Sequence, residues 1–316
     1  MLGSVALDLL AATEAAAVAA AGWRGRGDGR AADAAAVEAL RTCLASVPID
    51  GTVVIGEGEK DAAPMLYNGE RVGRGSGPKL DLAVDPLECT KALACGGPNS
   101  LAVLGAAPRG ALWSPGPAYY MEKLAVGAGA RDAIDISATP ADNVSAVAKA
   151  LGKEVSEVGV FVLDKPRHDG LIAELREAGA RVRLAPDGDV LGALLAALPD
   201  TDIDLLMGIG GTPEGVLAAC ALRVLGGAMQ CRLSPQRDDE ARRIAEAGID
   251  TAAVLELDDL VASDEALFAA TGITGGDLLG AVARSDHGPV TQSLLIGPAA
   301  GKTRLIRALH VAEPSA

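Results

Sequence analysis

The stretch VGVFVLDKPRHDGLIAELREAGARVRLAPDGD, residues 158–189, decides the reading of the fold. VGVFVLD (158–164) is an apolar run of strand length that stops at the polar KPRH. HDGLIAELREAGA reads as a helix with Gly179 near its end, and RVRLAPDGD as a second strand. Working outward, DVLGALLAALPD is a helix, DIDLLMGIGG a strand and PEGVLAACALRVLGG a helix. Such βαβαβα alternation predicts a parallel sheet covered by helices. Ligands of these sheets gather at the carboxyl ends of the strands, where KPRHDG, PDGD and GIGGTPEG all fall.

Upstream, the first 45 residues read as two helices separated by GWRGRGDGRAAD, the second helix over residues 31–44. GTVVIGEGEKDAAPM gives a short β-branched run ending at Gly56, followed by acids, and KLDLAVDPLECT repeats that plan. SLAVLGAA, ALWSPG and EKLAVGAGA suggest further strands, so residues 50–135 read as one sheet with short connections. Later come a helix near 236–247, a strand near 252–256 and a hairpin in TQSLLIGPAAGKTRLIRALH. The expected division is an N-terminal metal-binding α+β domain, 1–145, and a C-terminal α/β substrate domain, 146–316. The final hairpin, 290–310, is free to rejoin the first sheet.

Of the 316 residues, 49% are hydrophobic and 22% charged, a globular composition. Aromatics make up only 2%, so Ala, Leu, Val and Ile must fill the core. A net charge of −14 argues against nucleic acid, whose binding rests on basic side chains. Asp8 and Glu14 interrupt the Ala-rich residues 4–22 and no basic region precedes them, so neither a signal peptide nor a membrane span is expected. The expected compartment is the cytoplasm. The five cysteines have no CxxC spacing, which disfavours a disulfide framework or zinc site. Cys43, Cys220 and Cys231 read as small core hydrophobes. No serine nucleophile turn accompanies His168, which argues against a triad, and it reads as a helix-start residue or as one that supports the site residues from behind.

In DLAVDPLECT, residues 81–90, an apolar run ends at Asp85 and Pro86, with Glu88, Cys89 and Thr90 close behind. Carboxylates at the end of a buried strand need compensating charge. Glu57 and Glu59 form a second acidic strand end, and Glu214 stands in GGTPEG. Hard oxygen ligands of this kind suit Mg²⁺ or Mn²⁺. Pro86 is expected to turn the chain away from the strand and open a helix.

Nearly the whole chain resembles the class II fructose-1,6-bisphosphatases, members of the Li⁺-sensitive, metal-dependent sugar phosphatase superfamily. The resemblance is carried, in order, by RGRGDGRAAD, IDGTVVIGEGEKDAAPMLYNGERVG, DLAVDPLECT, YMEKLAVG, KPRHDGLIAEL, PDGDV, GIGGTPEGVLAA and ATGITGGDLL. It implies a layered α/β/α/β/α fold, with a mixed N-terminal sheet and a mostly parallel C-terminal α/β sheet. It also implies two or more Mg²⁺ or Mn²⁺ ions, one held by Asp33 and Glu57. Asp85, Glu88 and Glu214, with the carbonyl of Leu87, would hold a second. Thr90 would position the attacking water and Asp33 would accept its proton. Substrate contacts would come from Glu88, Cys89, Thr90, Tyr120, Lys165, Pro166, Arg167, Asp187, Gly188, Asp189 and Gly211. The implied activity is hydrolysis of the 1-phosphate of fructose 1,6-bisphosphate in gluconeogenesis, by a homodimer or tetramer. The alternatives are a paralogue acting on sedoheptulose bisphosphate or an inositol or sugar monophosphate, and a non-catalytic sugar-phosphate binder.

Two positions depart from the family pattern. Cys89 stands where the family has glycine, and Gly29 where it commonly has lysine. A positive φ at residue 89 would strain the cysteine, whereas a helical one would set its thiol beside phosphate and metals.

Overall fold

The structure is a computed structural model that describes residues 2–56, 66–297 and 302–311. Glu57 and Glu59 lie outside the described residues. The chain forms two compact units. One runs to Leu112 and resumes at Glu265; the other is Trp113–Asp264.

The first unit opens with α1 (Ala6–Ala21) and α2 (Gly29–Ala45), then β1 (Asp50–Ile55), β2 (Arg71–Val72), β3 (Lys79–Glu88), α3 (Thr90–Ala94) and β4 (Leu101–Pro108). The second unit contributes β5 (Tyr120–Val126), α4 (Pro140–Leu151), β6 (Gly159–Leu163), α5 (Asp169–Glu177), β7 (Arg181–Ala185) and α6 (Asp189–Ala197). It continues with β8 (Leu205–Gly211), α7 (Thr212–Leu225), β9 (Ala228–Leu233), α8 (Asp238–Glu246), β10 (Val254–Glu256) and α9 (Leu257–Leu260). The chain then returns to the first unit with β11 (Leu267–Gly272), β12 (Ala283–Ser285), β13 (Gly288–Gly297) and β14 (Lys302–Leu309).

In the first unit the sheet runs β12-β13-β11-β4-β3-β1-β2, with β14 on β13. Strands β1 and β3 are parallel, and β3 is antiparallel to β4. Helices α1 and α2 bury Ala12, Ala16, Ala20, Ala32 and Ala36 against this sheet, and such small side chains let backbones approach closely. Helix α1 is also locked to the returning strands β11 and β13 by polar contacts. The buried Glu14 accepts hydrogen bonds from Thr291 and Ser293 at 3.3 and 3.2 Å, and the hydroxyls of Thr13 and Thr271 meet at 2.8 Å. Buried polar groups must be satisfied, so this network fixes which hairpin face α1 covers.

The second unit holds a six-stranded sheet in the order β10-β9-β5-β8-β6-β7. Strand β6 is parallel to both β7 and β8, as the βαβ pattern predicts. Strand β5 runs antiparallel between β8 and β9, and β10 antiparallel to β9. This sheet is therefore mixed rather than mostly parallel: only the βαβ part, β7-β6-β8, keeps the parallel sense. The architecture is mixed α/β in both units, in keeping with a layered phosphatase fold.

Several sequence expectations shift. The run at residues 122–130 supplies a strand of the second sheet rather than the first, because β5 pairs with β8 and β9. ALWSPG forms no strand; Leu112 makes a single bridge. The contacts therefore divide at Leu112 and Asp264 instead of at residue 145. The closing hairpin, β13 with β14, pairs beside β11 in the first sheet. Among the described residues no helix is long and apolar enough to cross a membrane.

Candidate active site

In the first unit, β3 carries its acids at a bulge. Asp85 lies opposite Val103 and Glu88 opposite Leu101, so three steps along β3 match two along β4. A bulge re-aims side chains, and Pro86 is tolerated there because it has no N–H to give the ladder. Carboxylate oxygens of Asp85 and Glu88 come within 4.8 Å of each other. Local hydrogen bonds hold the segment. The Leu87 amide donates to Asp85 Oδ1 at 3.0 Å, and the Thr90 hydroxyl donates to the Leu87 carbonyl at 3.0 Å. With its proton so committed, Thr90 Oγ1 keeps its lone pairs for accepting and can take a hydrogen bond from water.

Pro86 does not turn the chain out of the strand; β3 continues to Glu88. The departure comes at Cys89, in the left-handed region at φ 64° and ψ 46°. Its carbonyl accepts from Ser100 Oγ at 3.2 Å. A side chain here costs about 1 kcal/mol relative to glycine. The strained alternative for Cys89 is therefore the one realised. The second departure touches the same residue: a Cβ on Gly29 would sit 2.9 Å from Thr90 Cγ2. Both unusual positions therefore flank Thr90. Asp33 is half-buried on α2, four residues beyond Gly29.

In the second unit the expected substrate residues gather at one end of the sheet. Lys165, Pro166 and Arg167 follow β6, Asp187 to Asp189 follow β7, and Gly211 ends β8. Tyr120 begins the antiparallel β5 and pairs in register with Gly211. The Arg167 guanidinium lies 5.4 Å from the Tyr120 ring centre and donates twice to the Ile209 carbonyl, at 2.8 and 3.1 Å. Such a cation–π contact positions the guanidinium fork.

Below this end lies Lys123, only 1% exposed, its Nζ 2.5 Å from Oδ2 of the buried Asp189. Burial acts to lower the Lys123 pKa, but the charges of Asp189 and then Glu214 outweigh it and hold the pKa above the usual lysine value. Two glycines make room for these acids. A Cβ on Gly210 would meet Asp189 Oδ2 at 1.8 Å, and one on Gly211 would meet Glu214 Oε2 at 1.9 Å. Only glycine fits a backbone this close to carboxylates. Glu214, in the first turn of α7, packs its carboxylate over Gly211.

His168 proves structural. It is 1% exposed, with Nδ1 2.7 Å from the Leu163 carbonyl and Nε2 accepting from the Ile209 amide at 2.7 Å. The carbonyl can only accept, so the neutral ring carries its proton on Nδ1 and joins β6 to β8. Burial pulls its pKa below 6.5; the Leu163 hydrogen bond opposes this and Arg167 reinforces it. The sign follows: the unfolded chain binds the proton more readily, so stability is full above about pH 6.5 and falls as pH drops through the folded pKa. Urea denaturation across pH 5 to 8 should show this slope, and His168→Gln should flatten it. An unchanged slope would contradict the assignment.

The sequence reading thus found the acidic bulge and the loops of the second sheet. It missed Lys123, although YMEKLAV places a lysine within an apolar strand, which is the signal of a buried ion pair. It also missed Glu240 in DDEARRIAE, where an acid in a charged helix looks exposed.

The oxygen donors described here fit a hard divalent cation: two carboxylates converge at the bulge, beside a backbone carbonyl. Comparison with known proteins agrees with this chemistry. Residues 3–310 match the family model for bacterial fructose-1,6-bisphosphatase, glpX-encoded, a family of metal-dependent phosphatases. The chain is 48% identical over 323 aligned positions to fructose-1,6-bisphosphatase 1 class 2 of Escherichia coli (strain K12), covering 98% of this chain and 95% of that relative. Class 2 enzymes of Escherichia coli O6:H1 and Shigella flexneri match at the same 48% identity and coverage. A family match over residues 3–310, with 48% identity across nearly the whole chain, identifies this chain as a member of the bacterial class 2 fructose-1,6-bisphosphatase family and as a phosphatase.

Proposed function

We propose that this enzyme hydrolyses the 1-phosphate of fructose 1,6-bisphosphate to fructose 6-phosphate and inorganic phosphate, as a cytoplasmic, gluconeogenic homo-oligomer. The observation that carries this reading is the clustering of Tyr120, Arg167, Asp189 and Gly211 at one end of the second sheet, in a chain 48% identical to enzymes of that name.

Asp33 and Glu57 would hold one Mg²⁺ or Mn²⁺ ion, and Asp85, Glu88, Glu214 and the Leu87 carbonyl a second. Bound ions supply Lewis-acid stabilisation of the charge on the transferring phosphoryl group. Thr90, its own proton on the Leu87 carbonyl, orients the attacking water, and Asp33 takes the proton released. Lys165 and Arg167 bind the phosphate that does not react, Arg167 through the edge of its guanidinium turned from Ile209. Asp187, Gly188 and Asp189 face the sugar hydroxyls, with Pro166 and Cys89 shaping the walls.

A second reading, a paralogue for sedoheptulose bisphosphate or a monophosphate, draws on Cys89 and Gly29 beside Thr90. Phosphate release from a panel of sugar mono- and bisphosphates separates the two. Fructose 1,6-bisphosphate should lead, and Arg167→Ala should cut its kcat/KM by about 10- to 100-fold, the worth of a charged hydrogen bond. Equal turnover of monophosphates before and after the substitution would favour the rival.

A further inference from the structure

We propose that Glu240, on α8, is a positioning residue that fixes Tyr120 for the substrate, a role that rests on the substrate reading above. Glu240 is fully buried, unusual for an acid in the charged helix DDEARRIAE. Its Oε1 accepts the backbone N–H groups of Tyr119 and Tyr120 at 2.6 and 2.9 Å, and its Oε2 that of Gln236 at 3.0 Å. Three such bonds offset the desolvation of a buried carboxylate.

The same dipeptide is gripped from its other side. The Tyr119 carbonyl accepts from the Thr212 amide and the Tyr120 carbonyl from the Ser234 amide, each at 3.0 Å. The Thr212 hydroxyl donates to the Ala118 carbonyl at 2.6 Å. Every backbone donor and acceptor of Tyr119 and Tyr120 is thereby engaged. Helix α8 and its N-cap hold the neighbouring side chain as well: the guanidinium carbons of the N-cap Arg237 and of Arg243 lie 5.6 and 5.2 Å from the Tyr119 ring centre, and Arg243 donates to its hydroxyl at 3.1 Å. What remains free to act is the Tyr120 ring, set against Arg167. A carboxylate that clamps this peptide therefore sets where the ring and the guanidinium meet the sugar phosphate.

The test compares Glu240→Ala, Glu240→Gln and Ile244→Ala by kinetics with fructose 1,6-bisphosphate and by thermal melting. Ile244 is buried on the same helix and takes no part in the clamp, so it reports loss of packing alone. Glu240→Ala should raise KM about tenfold with kcat within about threefold, because mispositioned binding groups weaken substrate contacts before chemistry. Glu240→Gln, whose carbonyl can still accept both tyrosine amides, should recover most of that loss and leave KM about threefold high. Ile244→Ala should lower the melting temperature without moving KM. A KM within twofold of wild type in Glu240→Ala, or an equal rise in Ile244→Ala, overturns the proposal. If Glu240→Ala does not fold, Glu240→Gln decides, and an unchanged KM overturns it. A wild-type enzyme that ignores fructose 1,6-bisphosphate would instead defeat the substrate reading, and that result appears before any variant is made.

Discussion

Glu88→Gln should reduce turnover by about a thousandfold or more while the protein still folds. Glu88 is 5% exposed, and its carboxylate shares the β3 bulge with that of Asp85, within 4.8 Å. Two like charges at that range repel by about 1–3 kcal/mol in a protein environment. Before an ion binds, neutralising one of them relieves repulsion, so the metal-free variant should be as stable as wild type or about 1 kcal/mol more so. With the ion the order reverses. Mn²⁺ at a hundred times its dissociation constant stabilises the wild type by about 2.7 kcal/mol, and a variant that has lost a ligand gains much less. Phosphate release and thermal melts, each with and without Mn²⁺, read the two effects separately. Activity within tenfold of wild type, or a Mn²⁺-dependent stabilisation left whole, would remove Glu88 from the ion's shell.

What the sequence made legible follows from how local each signal is. The strands around residues 158–211 could be read because apolar runs and their polar stops are local, and β6, β7 and β8 lie where VGVFVLD, RVRLA and DIDLLMGIGG put them. DLAVDPLECT showed its acids for the same reason. The partner of β5 could not be read, since YMEKLAV has strand character but nothing in it names a sheet; pairing with β8 and β9 is set by residues far away in sequence, such as Gly211 opposite Tyr120. The place where the chain leaves β3 was misjudged because Pro86 looks like a breaker. A bulge absorbs it, and the left-handed turn falls on Cys89, where no glycine announces it. Glu240 and Lys123 escaped because each is buried against a partner distant in sequence: the Tyr119 and Tyr120 amides for one, Asp189 for the other.

Lys123→Met should cost about 3–5 kcal/mol, since removing one partner of a buried pair leaves the other charge uncompensated. Lys123 is 1% and Asp189 6% exposed, so solvent screening gives little relief. The Asp189 carboxylate also fills the space a Gly210 side chain would take, so it packs directly against the β8 backbone. The pH dependence has a definite sign. Because the folded pKa of Lys123 lies above 10.5, its contribution is complete below that pH and is lost only as pH rises beyond it through the folded value. The deficit of Lys123→Met in urea denaturation should therefore be the same at pH 7 and pH 9. Adding Asp189→Leu, which keeps the branching at Cγ and removes the second charge, should restore most of the lost stability. It should not restore activity, because Asp189 is also the acid expected to meet the sugar. Stability and turnover then separate in one double-mutant cycle. A loss below about 1 kcal/mol in Lys123→Met, or a double variant no more stable than the single one, would mean the pair does not tie the segment after β7 to strand β5.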